Sequence, residues 1–70
     1  MKNFIISYQK NNVYQAIIVK AETEENARKC FAEHRKVDII GMREQENINE
    51  EIRKGMPIIF TQNGKIITEV

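Results

Sequence analysis

Apolar residues along the chain repeat with two periods, two residues and three to four, and their order lays out the architecture. At positions 3–9, Phe4, Ile6 and Tyr8 alternate with Ile5, Ser7 and Gln9, the mark of a strand with two differently lined faces. Lys10-Asn11-Asn12 follows, and asparagine tolerates the left-handed backbone of a tight turn, so a hairpin into a second strand over 13–21 is expected. In that strand Val13, Gln15, Ile17 and Val19 alternate with Tyr14, Ala16, Ile18 and Lys20. Both sets are apolar around 16–19, which predicts a central, covered strand. Over 23–35 the spacing changes, and Ala27, Cys30, Phe31 and His34 trace one arc of a helix. Thr23 is placed to cap it, with Glu24 and Glu25 in the first turn, where the dipole favours negative charge. Val37, Ile39 and Ile40 then open a third strand over 37–44. Strand, crossover helix and returning strand run parallel, which leaves the first strand to fit between them, antiparallel to both.

From Gln45 the pattern thins. Asn47-Ile48-Asn49-Glu50 has the form of an N-cap with an acid three residues on, and Gly55 and Pro57 are stop signals, so a short second helix is expected over 47–54. Ile48, Ile52 and Met56 are the residues available to hold it on the body. Two apolar runs, 57–61 and 65–70, flank Gln62-Asn63-Gly64, a strong hairpin signal. The expected fold is one small α+β domain over 1–70, β-β-α-β-α-β-β, a mixed, largely antiparallel sheet with one main helix packed on one face. Ile18, Ile40, Met42, Ile59, Ile67 and Val70 are left as candidates for a second apolar face, to be covered by the short helix, the terminal hairpin or a partner.

Composition narrows the class. With 41% hydrophobic and 30% charged residues in a chain of 70, the sequence reads as a soluble globular domain rather than a disordered tail. A domain of this size buries only roughly 60% of its unfolded surface, so its core has room for little beyond one sheet and one helix. A net charge of +1 lacks the basic excess that marks most nucleic-acid binders. The single cysteine excludes an internal disulfide and makes a reducing, cytoplasmic setting the expectation. The first residues already read as a strand rather than a signal peptide, and every apolar run falls far short of the roughly 20 residues that span a membrane.

Few residues invite chemistry. Cys30 and His34 share a helix face, as two metal ligands or a thiol and base would. A zinc site needs a third ligand, and no other Cys or His exists in the chain, so a packed thiol and a histidine favouring the helix C-terminus are the expectation. Glu44, Glu46, Glu50 and Glu51 resemble a cation site or a phosphate mimic, but such runs are more often solvated helix starts. Arg28, Lys29, Arg35 and Lys36 form a basic ridge suited to a phosphate backbone, interrupted by Glu25 and Glu33. Tyr8 and Tyr14 are read as facing each other's strands across the first hairpin, where aromatic rings stack bases or simply stabilise the sheet. These six, Tyr8, Tyr14, Arg28, Lys29, Arg35 and Lys36, are the candidate interaction surface; catalytic residues, metal ligands and cofactors are not expected.

The stretch Val19-Lys20-Ala21-Glu22-Thr23-Glu24-Glu25-Asn26-Ala27, followed by the returning strand at 37–40, resembles the DpnD/PcfM-like small proteins of phages and plasmids. Shared features are a strand ending in Val-x-Ala, a capped helix opening with Glu-Glu-x-Ala, and a strand. The resemblance implies a mobile-element origin and carries over no functional residues. Taken together, the sequence leads to a non-catalytic binding or regulatory protein acting through protein–protein contact, with a homodimer as one form of it. The alternative is a weak nucleic-acid-binding module that uses the basic helix ridge.

Overall fold

The computed structural model describes residues 1–56 and the strand backbones of 58–60 and 66–68. It is a mixed α+β domain. Strands β1 (Lys2–Lys10) and β2 (Val13–Ala21) form a long antiparallel hairpin, paired from Lys2↔Ala21 to Lys10↔Val13. Its two-residue loop places Asn11 and Asn12 at φ 54° and 64°, the doubly left-handed turn whose twist matches that of the strands. Helix α1 (Glu24–His34) crosses back over the sheet. Thr23 starts it by accepting the Asn26 backbone N–H at 3.1 Å, and the Arg35 N–H closes it on the Phe31 carbonyl at 2.7 Å. Strand β3 (Ile39–Glu44) then pairs antiparallel with β1, so β1 lies between β3 and β2 as expected.

Two layers of core follow from the pleat. Phe4, Ile6, Tyr8, Ile17, Val19 and Ala21 turn towards α1 and close on Ala27, Cys30 and Phe31. Ile5 and Ile18 turn the other way and are covered by Ile48 and Met56. Ile48 is the N-cap of α2, a helix only five residues long (Asn49–Arg53). It is shorter than the expected 47–54, because Asn47 acts outside it: its Oδ1 accepts the Asn49 N–H at 3.0 Å. Gly55, at φ 86°, ends it with paired bonds, Gly55 N–H to Ile52 O at 3.0 Å and Met56 N–H to Glu51 O at 3.3 Å. Ile52 does not join the core as expected but stays 38% exposed: Ile48, at the N-cap, has a non-helical backbone (φ −116°, ψ 18°), so the four-residue spacing does not put the two isoleucines on one helix face.

Two expectations for β3 need correction. The strand begins at Ile39 rather than at Val37, because Tyr8↔Ile39 is its first pairing with β1; Val37 packs against the helix-side core from the connection. The register also shifts between Ser7 and Tyr8, so Ile40 and Gly41 together span one step of β1. That bulge carries Met42 onto the helix side together with Ile39, away from the second face to which strict alternation assigns it.

Beyond β2, strand β4 (Ile58–Phe60) pairs parallel with it, and β5 (Ile66–Thr68) pairs antiparallel with β4. The expected turn at Gln62-Asn63-Gly64, the strand-opening Pro57 and the side chains of Ile59, Ile67 and Val70 lie outside the described residues.

Candidate interaction surface

The register separates the two tyrosines. With Lys10 opposite Val13, Tyr8 lies opposite Gln15 and Tyr14 opposite Gln9, which puts the two rings on opposite faces. Tyr8 is a core residue, 2% exposed, with its ring 5.2 Å from that of Phe31 and tilted by 58°. Its hydroxyl donates to Gln15 Oε1 at 2.7 Å, which satisfies the one polar atom the ring carries inward. Tyr8 therefore offers nothing to a partner. Tyr14, in contrast, is 73% exposed.

The basic ridge is divided in the same way. Arg28 and Lys29 reach back one turn to Glu24 and Glu25, at 3.2 and 3.8 Å, so each cation sits beside a carboxylate on its own helix. Arg35 is the helix C-cap and Lys36 follows it in the connection, so these two leave the helix surface. Four cations in sequence thus make two neutralised pairs and a separate basic corner.

Cys30 is buried in the helix-side core, and burial, reinforced by Glu33, pushes its thiol above the usual range. A raised thiol is a poor nucleophile. His34 is half-buried at the end of α1, outside the core cluster. Among the described residues, no three His, Cys, Asp or Glu side chains gather closely enough to hold a metal ion.

The acidic run after β3 is organised by Gln45. This side chain accepts from Arg43 Nε at 3.1 Å and donates both to the Asn47 carbonyl at 2.8 Å and to Glu51 Oε2 at 2.9 Å. The bond from Gln45 is the first cause of a Glu51 carboxyl held below its ordinary range, and Lys54 and Arg43 add to it. Glu44 pairs loosely with Lys2 at 3.9 Å. A shallow, open depression of about 310 Å³ lies against this network, lined by Gln45, Asn47, Asn49, Glu50, Glu51 and Arg53. Its contacts serve to fasten α2 to the end of β3.

Among the described residues, the packing on the sheet face opposite α1 is confined to the cluster of Ile5, Ile18 and Ile48, with Ala16 and Met56 against it. Ile48 and Met56 cover Ile5 and Ile18, but towards the hairpin tip the same face continues past them. Gly41, Ser7 and Ala16 lie in one row across β3, β1 and β2, all half-buried and all small. A Cβ added at Gly41 would meet nothing within 4 Å. Tyr14 stands on the β2 side of this row, and Ile40, 55% exposed, lies in the bulge on the β3 side. Alternation alone predicts Tyr14 and Ile40 on this face; the low floor between them emerges only from the register of three strands.

No family model, curated protein or solved structure matches the chain.

Proposed function

We propose that this chain is a small non-catalytic binding protein that works through protein–protein contact, and that its contact surface is the hairpin half of the sheet face opposite α1. The observation that carries this reading is Tyr14. A large amphipathic ring with 73% of its surface in water lies across β1 from a second exposed apolar residue, Ile40, while Ile5 and Ile18 on the same sheet are packed under Ile48 and Met56. Tyrosine anchors of this kind dominate interface energetics, because they bury much area while losing little side-chain freedom. The seven elements in the order β-β-α-β-α-β-β, with the terminal hairpin extending the sheet beyond β2, serve in this reading as a rigid platform for that face. Its setting is cytoplasmic and, on the DpnD/PcfM-like resemblance of positions 19–40, that of a phage or plasmid gene product.

The nucleic-acid alternative has less support, since Arg28 and Lys29 are already matched by Glu24 and Glu25. A photo-reactive phenylalanine analogue at position 14, with a control at exposed position 32 on α1, tests the proposal in host cells. Protein adducts specific to position 14 are expected. Adducts to nucleic acid, or none above the control, would overturn it.

A further inference from the structure

Resting on that reading and naming what meets Tyr14, we infer that a foreign partner contributes a short extended segment, which adds as a strand to the outer edge of β2 over residues 13–17, in line with β4.

The backbone selects a strand. Lys10↔Val13 closes the two-residue loop as a hydrogen-bonded pair, so Val13, Gln15 and Ile17 bond to β1. Tyr14, Ala16, Ile18 and Lys20 therefore turn their N–H and C=O groups to the other side. Ile18 and Lys20 use theirs on β4, whose parallel pairing runs from Ile18↔Ile58 to Lys20↔Phe60. Among the described residues, no strand pairs with Tyr14 and Ala16 on that side. Met56, two residues before β4, packs on the face with Ile5 and Ile18 rather than continuing β4 along this edge. A row of alternating donors and acceptors is matched by an extended chain, whereas a helix keeps its own groups paired.

Side chains and sequence agree. Val13 and Tyr14 are neighbours that point to opposite faces, and both are exposed, at 54% and 73%. A partner resting on either face would bury only one of them. A strand beside them flanks both, with a β-branched residue well placed against the Tyr14 ring. Val13-Tyr14-Gln15-Ala16-Ile17 also carries no charge, proline or glycine, and charge and proline are common guards of a free edge. The opposite border of the sheet, β3, has both a bulge and the charged Arg43 and Glu44. Of the two, the β2 edge is the one left competent to pair.

The segment is foreign because of β4. A second copy paired antiparallel over residues 13–17 would set its own Asn12 opposite Ile18, where Ile58 already stands. In parallel register its own Ile18 would fall there. A single extended segment can turn away at that point, and it carries no proline where its N–H groups meet Tyr14 and Ala16.

The test uses a seven-residue peptide of alternating threonine and valine and a leucine-striped helical peptide, each titrated into the isotope-labelled full chain. In the free chain the Tyr14 and Ala16 amides are expected to exchange with solvent roughly tenfold or more faster than those of Gln15 and Ile17. The extended peptide should slow exchange at Tyr14 and Ala16, and the helical one should not. A synthetic full chain with N-methyl-alanine at position 16 keeps every side chain and loses one edge donor. It should bind the extended peptide about tenfold more weakly or worse, with the amide spectrum of the remaining fold in place. Slow exchange at Tyr14 and Ala16 in the free chain, tighter binding of the helical peptide, unchanged binding after N-methylation, or no binding would overturn the inference. Protein adducts at position 14 would then still support a contact surface there with a different occupant, whereas an absence of adducts removes the surface itself. Adducts to a second copy of this chain would also overturn the choice of occupant.

Discussion

The fate of single residues here is set by parity. Tyr8 and Tyr14 are similar in sequence, yet one is a core ring and the other a surface one, because a two-residue loop pairs Tyr8 with Gln15. The sequence reading, with Lys10-Asn11-Asn12 as the turn, has the two tyrosines facing each other; only the two-residue Asn11-Asn12 loop, which fixes the pairing, puts the rings on opposite faces. What pairing could not give is the hydroxyl contact to Gln15, which depends on side-chain conformers. Tyr8→Phe keeps the ring on Phe31 and loses only that bond, so it should cost about 1 kcal/mol in urea-induced unfolding. Tyr14→Ser, at an exposed position, should change stability by no more than about 0.5 kcal/mol in the same assay. Gly55 is a case where backbone rules decide. At φ 86° it ends α2, and Gly55→Ala should cost about 1 kcal/mol through left-handed strain.

Among the elements, hairpin and main helix were readable because local signals and burial agree: Thr23 caps, Ala27, Cys30 and Phe31 point inward, and β2 is apolar on both faces. Helix α2 was readable as present but not in extent, since a five-residue helix owes its limits to tertiary contacts rather than propensity. Ile48 at its N-cap and Ile52 within it give a direct check. Ile48→Ala should cost about 2–5 kcal/mol and Ile52→Ala less than about 1 kcal/mol, measured as unfolding free energies, because only Ile48 is buried against Ile5 and Ile18. The Gln45 network adds a pH dependence. With the Glu51 carboxyl lowered in the fold, its stabilisation is complete above the usual 4.5 and is lost as pH falls through the lowered value. Thermal midpoints followed downward from neutral pH should therefore fall less steeply on the acid side for Glu51→Gln than for the parent chain.

For the whole molecule, the sequence pointed correctly to more apolar strand surface than one helix covers, and Ile18 does lie on the second face. It could not show that Ile48 and Met56 would be what packs on Ile5 and Ile18, nor that Gly41, Ser7 and Ala16 would align, because both depend on contacts between segments far apart in the chain. The same long-range register makes the two sides of the sheet unequal energetically. Phe31→Ala, which opens the closed side, should remove about 3–5 kcal/mol and leave most chains unfolded by circular dichroism at 25 °C, given a total of only several kcal/mol for a domain this small. The bulge at Ile40 and Gly41 has a consequence of another kind. It lies in β3, the outermost strand on its side of the sheet, where an unbroken row of amides would invite strands from other molecules to add one after another. With the ladder offset there and Arg43 and Glu44 charged further along the same strand, that border is a poor seed for fibre growth. The protein can thus leave Tyr14 and Ile40 in water without its β3 edge recruiting further chains.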